Sequence, residues 1–311
     1  MTVATSSGLD ADPYAGDGMP PRAITWRDLV WLTWREHRAL IAGSVLVTAV
    51  ASGVLLTFAA MLHHYGSCIA AGGPRIDACY SGYRVSSRNF ADVLRAVIVL
   101  PALTGAFWGA PMLTRPLESG TLWLAFGQDL SPRRWLSAKI TVLTAVLVLL
   151  ALAVSGCCHI AVPTTHQSNE FGGGFDNKIF ETGPFPFTGY VLVAFGLGIA
   201  VGALIRRTLP AVAIAGAGFF LIWYLLRILR PWYLPARTVT LGADDEWPRQ
   251  LNSTWNFRHS YSSGPGTPFE TITYQVPSHV HWLPLIEFCL CLTAAVVFAS
   301  AALAIVGRRR A

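Results

Sequence analysis

The sequence has 311 residues, of which 53% are apolar and only 13% are charged, and its mean hydropathy is +0.47. Soluble domains average about 25% charged residues, so this composition excludes an ordinary soluble protein and indicates an integral membrane protein. The net charge of +6 at pH 7 comes from basic residues beside apolar segments. Positive charge there orients a membrane protein, so we expect no nucleic-acid partner.

The first 39 residues divide into two segments. Residues 1–22 are rich in Gly, Pro, Asp and Ser and lack the basic and apolar regions of a signal peptide, which predicts a disordered cytoplasmic tail. Residues 23–39 place Trp26, Leu29 and Trp34 on one side of a helix and basic residues on another. This pattern predicts an amphipathic helix in the inner headgroup layer. Its five charged residues argue against the alternative that it is simply the start of the first span.

Six nearly uncharged segments are long enough to cross a hydrocarbon core about 30 Å thick, which takes about 20 helical residues. They lack the two-residue alternation of barrel strands, and backbone groups cannot stay unpaired in lipid. The sequence therefore predicts an all-α integral membrane protein whose six transmembrane helices form one domain over residues 40–311. The predicted spans are 40–62, 96–114, 140–158, 188–205, 209–226 and 283–307.

Both termini are predicted to lie in the cytoplasm. With that orientation the inner segments hold 13 of the 23 basic residues and 7 of the 17 acidic residues, so they carry the whole net charge of +6. The outer connections then cover residues 63–95, 159–187 and 227–282. The last of these is rich in aromatic residues and prolines, which predicts short pieces without a core of their own. Its aromatic residues form either an interfacial belt or, as the alternative, a cap that gates a substrate.

All six cysteines lie in or near the outer side in this topology. Cys68 and Cys79 are expected to form a disulfide, because the exterior is oxidising. The other four cysteines, at positions 157, 158, 289 and 291, lie in apolar surroundings where thiols are usually inert. A second bridge between the third and sixth spans stays open.

Seven histidines also fall on the outer side: His63, His64, His159, His166, His259, His279 and His281. They leave open a membrane-embedded metal- or haem-binding redox protein as the alternative function. Their spacings match no ligand template, and Cys157, Cys158 and His159 are adjacent where haem attachment requires CxxCH. We therefore predict no metal site.

One acid, Glu287, lies about one turn into the last span, where a charge is costly. Arg227 and Arg230 at the outer end of the fifth span are its candidate partners, in either a structural ion pair or a translocation path. Gly198 and Gly202 form a GxxxG motif, whose small residues let helices pack closely. This motif is consistent with a tightly packed hairpin that turns at Arg206, and it is weak evidence for a dimer.

The sequence contains no nucleotide-binding, metalloprotease or serine-hydrolase motif, so we expect no enzymatic activity. The best candidate site is the polar connection from Arg115 to Lys139 between the second and third spans. Pro116 is predicted to begin a short helix, and Ser131 and Pro132 to begin the third span. Arg133, Arg134 and Lys139 would hold that span at the anionic inner surface.

This connection resembles permease subunits of ABC-2 type ABC transporters, especially the actinobacterial kind. The matching sequence is PALTGAFWGAPMLTRPLESGTLWLAFGQDLSPRRWLSAK, and the upstream WLTWREHR resembles the N-terminal segment of the family. Pro116 stands where the family often has an acidic residue, and Phe126-Gly127 where Trp-Thr is common. The residues that the resemblance assigns to contact with an ATPase are Arg115, Glu118, Gly120, Thr121, Gln128, Arg133 and Arg134.

The resemblance implies a dimeric exporter permease in the bacterial plasma membrane, with a homodimer favoured over a heterodimer. A separate ATPase subunit would bind ATP and Mg²⁺, so no cofactor is expected in this chain. Membrane lipids are further expected partners, and the substrate would be hydrophobic or amphipathic. An anchor or sensor without transport is a third hypothesis, which the many small residues and prolines in the spans weakly oppose.

Overall fold

The computed structural model describes residues 25–120, 132–161, 177–242, 255–262 and 269–308. The predicted tail at 1–22 and residues 23–24 lie outside this range. Helices dominate the described part, together with one small sheet. In chain order the elements are α1 (Trp26–Ala71), α2 (Ile76–Val97), α3 (Val99–Thr104), a π-helical turn (Gly105–Gly109), α4 (Ala110–Glu118), α5 (Pro132–Ala161), α6 (Asn177–Glu181), α7 (Pro184–Ile205), α8 (Thr208–Leu229), a 3₁₀ turn (Arg230–Trp232), β1 (Arg237–Gly242), β2 (Trp255–Ser262), β3 (Phe269–Gln275), α9 (Pro277–Val280) and α10 (Leu283–Arg308).

The prediction of an all-α integral membrane protein is confirmed. Six helical segments of the described residues are long and apolar enough to cross a membrane, and each contains one of the six predicted spans. The segment that includes α7 is the central one, since most of its most apolar stretch is buried inside the protein. These six segments are Trp26–Ala71, Ile76–Glu118, Arg133–Ile160, Pro184–Ile205, Thr208–Trp232 and Leu283–Arg308.

The first helix, α1, continues through the predicted boundary at residue 39. It begins after Thr25, whose backbone N–H and hydroxyl both donate to the carboxylate of Asp28, at 2.9 and 2.7 Å, and such a contact stabilises a helix start. No proline follows within the helix, so nothing interrupts the backbone hydrogen bonds. At about 1.5 Å per residue, the 46 residues extend roughly 69 Å. The amphipathic segment and the first span are therefore one helix, and not two as predicted.

The two ends of the bundle are named inner and outer after the predicted orientation, with Arg115 and Lys139 at the inner end. The first outer connection is a helical hairpin that ends in a short turn. Most of the predicted connection, 63–95, belongs to the end of α1 and to α2. Gly72 and Gly73 turn the chain with φ angles of 68° and 108°, which residues with a Cβ rarely adopt. Cys68 and Cys79 are joined by a disulfide, and their Cα atoms lie 6.2 Å apart. The predicted disulfide is thus present, and it closes the tip of the hairpin.

Backbone-to-backbone packing joins the second span to α7. A Cβ added at Gly198 would lie 2.2 Å from the carbonyl oxygen of Gly105 and 2.9 Å from the Cα of Gly109. A Cβ at Gly202 would lie 2.6 Å from the oxygen of Ala110. The GxxxG motif therefore packs against the π-helical turn and the start of α4. The predicted hairpin turn is present, because α7 ends at Ile205 and Arg206 adopts a left-handed conformation with φ of 59°.

The last outer connection contains a three-stranded antiparallel sheet in the order β1-β3-β2. Leu241 and Ile272 form its small buried cluster. The amide of Gln275 donates to the backbone oxygens of Pro231 and Leu234 at 3.0 and 2.9 Å, which fixes β3 to the chain that leaves α8. The expectation of short pieces without a core missed this sheet.

The close packing at Gly198 predicts a specific sensitivity. Gly198→Ala should lower the free energy of unfolding by about 1–3 kcal/mol, because the added methyl meets backbone atoms that cannot rotate away. Gly216→Ala in α8 is the matched control, since a Cβ there meets nothing within 4 Å. Thermal unfolding in detergent compares them, and equal melting temperatures would contradict this account of the packing.

Candidate functional site

The inner end of the second span holds the first part of the predicted coupling connection. Arg115 and Glu118 lie in the last turn of α4, and Gly120 follows with φ of 68°. Pro116 lies inside α4, so the predicted helix start at this proline is wrong: the second span simply continues to Glu118. Thr121 and Gln128 fall outside the described residues. The helix that contains the third span, α5, begins at Pro132, as predicted.

Glu118 binds the N-terminus of α8. One carboxylate oxygen accepts a hydrogen bond from the backbone N–H of Thr208 at 2.7 Å, and the other accepts from its hydroxyl at 2.6 Å. The hydroxyls of Thr208 and Thr114 are also within 2.9 Å of each other. A carboxylate at a helix N-terminus satisfies free N–H groups and complements the helix dipole. The start of the connection is therefore tied to a span that lies 90 residues further along the chain.

A second contact at the inner end joins α1 to α5. The ammonium group of Lys139 lies 2.7 and 2.6 Å from the two carboxylate oxygens of Glu36. The same ammonium lies 4.1 Å from the centre of the Trp135 ring. Lys139 is only 1% exposed, so it is paired inside the bundle. The prediction that it faces the lipid headgroups is therefore wrong.

The two arginines at the start of α5 are exposed. The guanidinium of Arg133 lies so close to Gly307 that a Cβ on that glycine would be 2.4 Å from the arginine Nε. The third span therefore contacts the inner end of α10 through Arg133. Together with the contacts of Glu36 and Glu118, this contact joins five of the six spans in two groups at the inner end: the first, third and sixth spans, and the second and fifth.

The outer end of the bundle contains a buried ionic cluster around Arg230. Its Nε and Nη2 atoms donate to the two carboxylate oxygens of Glu287, at 2.9 and 2.8 Å. Both residues have no exposed surface. Of the two candidate partners for Glu287, the structure therefore selects Arg230, whereas Arg227 lies over the Trp223 ring.

Three further residues complete the Arg230 cluster. Nη1 of the arginine donates to Asn177 at 2.7 Å and to Glu181 at 3.2 Å, and Nη2 donates to the hydroxyl of Tyr190 at 3.0 Å. That hydroxyl in turn donates to Glu287. Burial raises the pKa of Glu181 above its usual range, and the charge of Arg230 opposes the rise.

The described residues provide no support for the alternative of a metal or haem site. Among them, no group of three or more His, Cys, Asp or Glu side chains could hold a metal ion. His166 lies outside the described part of the chain. The four remaining cysteines, at positions 157, 158, 289 and 291, are free, and Cys158 and Cys291 are buried. The second bridge that the sequence left open is therefore absent from the structure.

Most of the partner residues in the Arg230 cluster and in the contacts at the inner end were not predicted from the sequence. Thr208, Glu36, Glu181 and Tyr190 were not candidates, because each is an ordinary residue type far from its partner in the chain. The sequence did contain a signal for one pair, because a lysine and an acid each lie beside a predicted span. Both Lys139 and Glu36 lie near the inner boundary, where an unpaired charge is costly to bury.

The Arg230 cluster predicts a large loss of stability when its cation is removed. Arg230→Met should lower the free energy of unfolding by about 3–5 kcal/mol, because Glu287 and Glu181 would stay buried without a cation. The double variant with Glu287→Met should recover part of this loss. Arg95→Ala is the control, since the Arg95–Asp92 pair is exposed and such pairs contribute about 0–1 kcal/mol. Thermal unfolding in detergent measures all three, and equal shifts for Arg230→Met and Arg95→Ala would refute the role of the cluster.

Comparison with known proteins identifies the family of the chain. The family model described as ABC-2 membrane transporter related matches residues 39–230, which is more than half of the 311 residues. The matched region includes both the Glu118–Thr208 contact and Arg230. Neither a curated protein nor a solved structure matches at a significant level, and the likeness to the actinobacterial kind stays a prediction. The chain belongs to the ABC-2 membrane transporter related family and is a multi-pass membrane permease of the ABC-2 type.

Proposed function

We propose that this permease is the membrane subunit of an ABC exporter and that it moves a hydrophobic or amphipathic substrate out of the cell. Family membership implies a partner ATPase, and the chain would supply the path while the partner hydrolyses ATP. The observation that carries the coupling proposal is the contact between Glu118 and Thr208. It links the start of the 115–139 connection to the fifth span.

In the proposed mechanism the partner ATPase binds ATP and Mg²⁺ and closes on them. Closure displaces the connection that begins at Glu118. Because Glu118 holds the N-terminus of α8, the displacement moves α4 and α8 together. Arg115, Gly120, Thr121, Gln128, Arg133 and Arg134 are the further residues that we expect to meet the ATPase. A rigid outer end around Arg230 would serve as the pivot.

The permease is proposed to work as a homodimer with twice six spans. Apolar side chains are exposed along α8, including Leu221, Tyr224, Leu225 and Ile228. Their exposure favours contact of this helix surface with a second copy or with lipid. A second copy or membrane lipids would cover these side chains. We place the complex in the bacterial plasma membrane with both termini in the cytoplasm, in agreement with the excess of basic residues at the inner ends.

The coupling proposal predicts that Glu118 and Thr208 act as one unit. Glu118→Ala and Thr208→Val should each lower substrate-stimulated ATP hydrolysis of the permease with the ATPase encoded beside it. The double variant should be no worse than Glu118→Ala, because Glu118→Ala already removes both hydrogen bonds and Thr208→Val removes only the one from the hydroxyl. Asp77→Ala, at the start of α2 on the outer side, is the control and should keep full activity. Additive losses in the double variant, or full activity in Glu118→Ala, would contradict the proposal.

The proposed orientation predicts that a cysteine at the outer end of the first span and one at the inner end of the second span react differently with a label added outside the cell. In a background that keeps only Cys68 and Cys79, Ala71→Cys should react in intact cells with a membrane-impermeant maleimide. Ser119→Cys should react only after the membrane is opened. Both positions are exposed in the protein, so access across the membrane decides the result. The reverse pattern would place the termini outside.

A further inference from the structure

A half-open groove on the flank of the bundle has the form of a binding site for one lipid tail. It runs between α1, α3, the π-helical turn, α5 and α7 and has a volume of about 370 Å³. Pockets that hold small ligands measure about 300–1,000 Å³. Its walls are almost entirely apolar and include Gly43, Val47, Leu103, Phe107, Leu147 and Val191. We refer to it as the apolar groove.

A second cavity, which we call the inner mouth, joins the apolar groove at its cytoplasmic end. The two share four lining residues: Ala39, Leu40, Phe107 and Trp108. The inner mouth has a volume of about 770 Å³, and charged side chains line it, including Glu36, Arg115 and Glu118. The two cavities are therefore adjacent and offer an apolar part and a charged part side by side, which matches an amphipathic ligand.

The π-helical turn shapes the junction of the two cavities. It contains Phe107, which is 56% exposed, and Trp108, which is buried. The indole N–H of Trp108 donates to the hydroxyl of Ser44 on α1 at 3.0 Å, so this ring is held between the groove and the mouth. Single π-helical turns occur frequently at functional sites.

The dimensions of the site correspond to the inner leaflet. The residues of α1 that line the apolar groove run from Ala39 to Thr48, nine residues apart. At 1.5 Å per residue this length is about 14 Å. The hydrocarbon core is about 30 Å thick, so one leaflet accounts for about half of that. The groove is therefore about as long as one leaflet is thick, and its Ala39 end adjoins the inner mouth.

The charged residues of the inner mouth indicate which lipid headgroup would bind there. Glu36 in the inner mouth is paired with Lys139, and Glu118 is held by Thr208. The exposed guanidinium of Arg115 has no ion pair or side-chain hydrogen bond to any residue that the structure describes. A guanidinium matches the geometry of a phosphate group. We propose that the groove binds a phospholipid of the inner leaflet, with one acyl chain in the apolar groove and the phosphate on Arg115.

The tail part of the proposal is tested with the full-length permease alone, in bilayer discs of phosphatidylethanolamine and phosphatidylglycerol. The probe is phosphatidylglycerol with a photoactivatable group in one acyl chain, and adducts are located by mass spectrometry. In the unmodified protein we expect adducts on the groove segments of α1 and α5. Gly43→Leu should reduce them by roughly tenfold, about what the exclusion of two methylene groups costs.

Gly53→Leu is the matched control for the filled groove. Both glycines lie in α1, and a Cβ at either position meets nothing within 4 Å, so both variants should fold. Gly53 is not among the residues that line the groove, and its variant should keep the adducts. Equal adduct yields from Gly43→Leu and the unmodified protein would overturn the proposal. An absence of groove adducts in the unmodified protein would do the same, as expected if another segment of the chain filled it.

The headgroup part is tested with a diacylglycerol that carries the same photoactivatable chain but no phosphate. The unmodified protein should favour the phospholipid, and Arg115→Gln should reduce that preference by roughly threefold, as expected for a partly exposed ionic contact. Arg38→Gln, an exposed charge on α1 outside the inner mouth, should retain it. An unchanged preference in Arg115→Gln would overturn the assignment of the phosphate. None of these measurements requires the ATPase, so their outcome is independent of the coupling proposal, although Arg115 has a role in both.

Discussion

The buried guanidinium of Arg230 is the constraint on which the outer half of the molecule depends. A cation without exposed surface must find carboxylates and hydrogen-bond acceptors nearby, because removal from water costs several kcal/mol per ion. Arg230 meets this need with groups from α6, α7 and α10. The chain that follows it is held in turn by Gln275 of the outer sheet. One arginine therefore sets the positions of three helices and, through the next few residues, of the sheet.

The inner end of the bundle is built differently. Its contacts are the pairs Glu36–Lys139 and Glu118–Thr208, and in each pair the acidic member is exposed. Water can replace Thr208 at the exposed carboxylate of Glu118 at little cost, whereas the buried ammonium of Lys139 and the buried guanidinium of Arg230 both need their partners. The protein thus combines an outer end fixed by buried charges with an exposed contact at Glu118. This difference agrees with the proposed coupling, in which a partner ATPase acts on the connection that begins at Glu118.

Hydropathy was sufficient to predict the six spans and their order, and the positions of Cys68 and Cys79 were sufficient to predict their disulfide. For Glu287 the cost of a buried acid limited the candidate partners to two arginines, and only packing could choose Arg230. The Glu118–Thr208 and Glu36–Lys139 contacts join residues 90 and 103 positions apart, and composition does not encode which helices are neighbours. The sheet was missed because its strands lie among prolines and glycines that indicate turns.

The π-helical turn at Gly105–Gly109 also sets the rotational phase of the second span. An α-helix advances by about 100° per residue, so the extra residue of this turn rotates everything after it by about that angle relative to a regular helix. Trp108 and Glu118 therefore reach α1 and α8 on their present sides only because the turn is there. The number of residues in this turn therefore determines which side of the helix each later residue lies on. A single residue lost between Gly105 and Gly109 would convert the turn into regular α-helix and keep the phase of the inner half, whereas straightening the turn without a deletion would rotate that half away from the contacts it now makes.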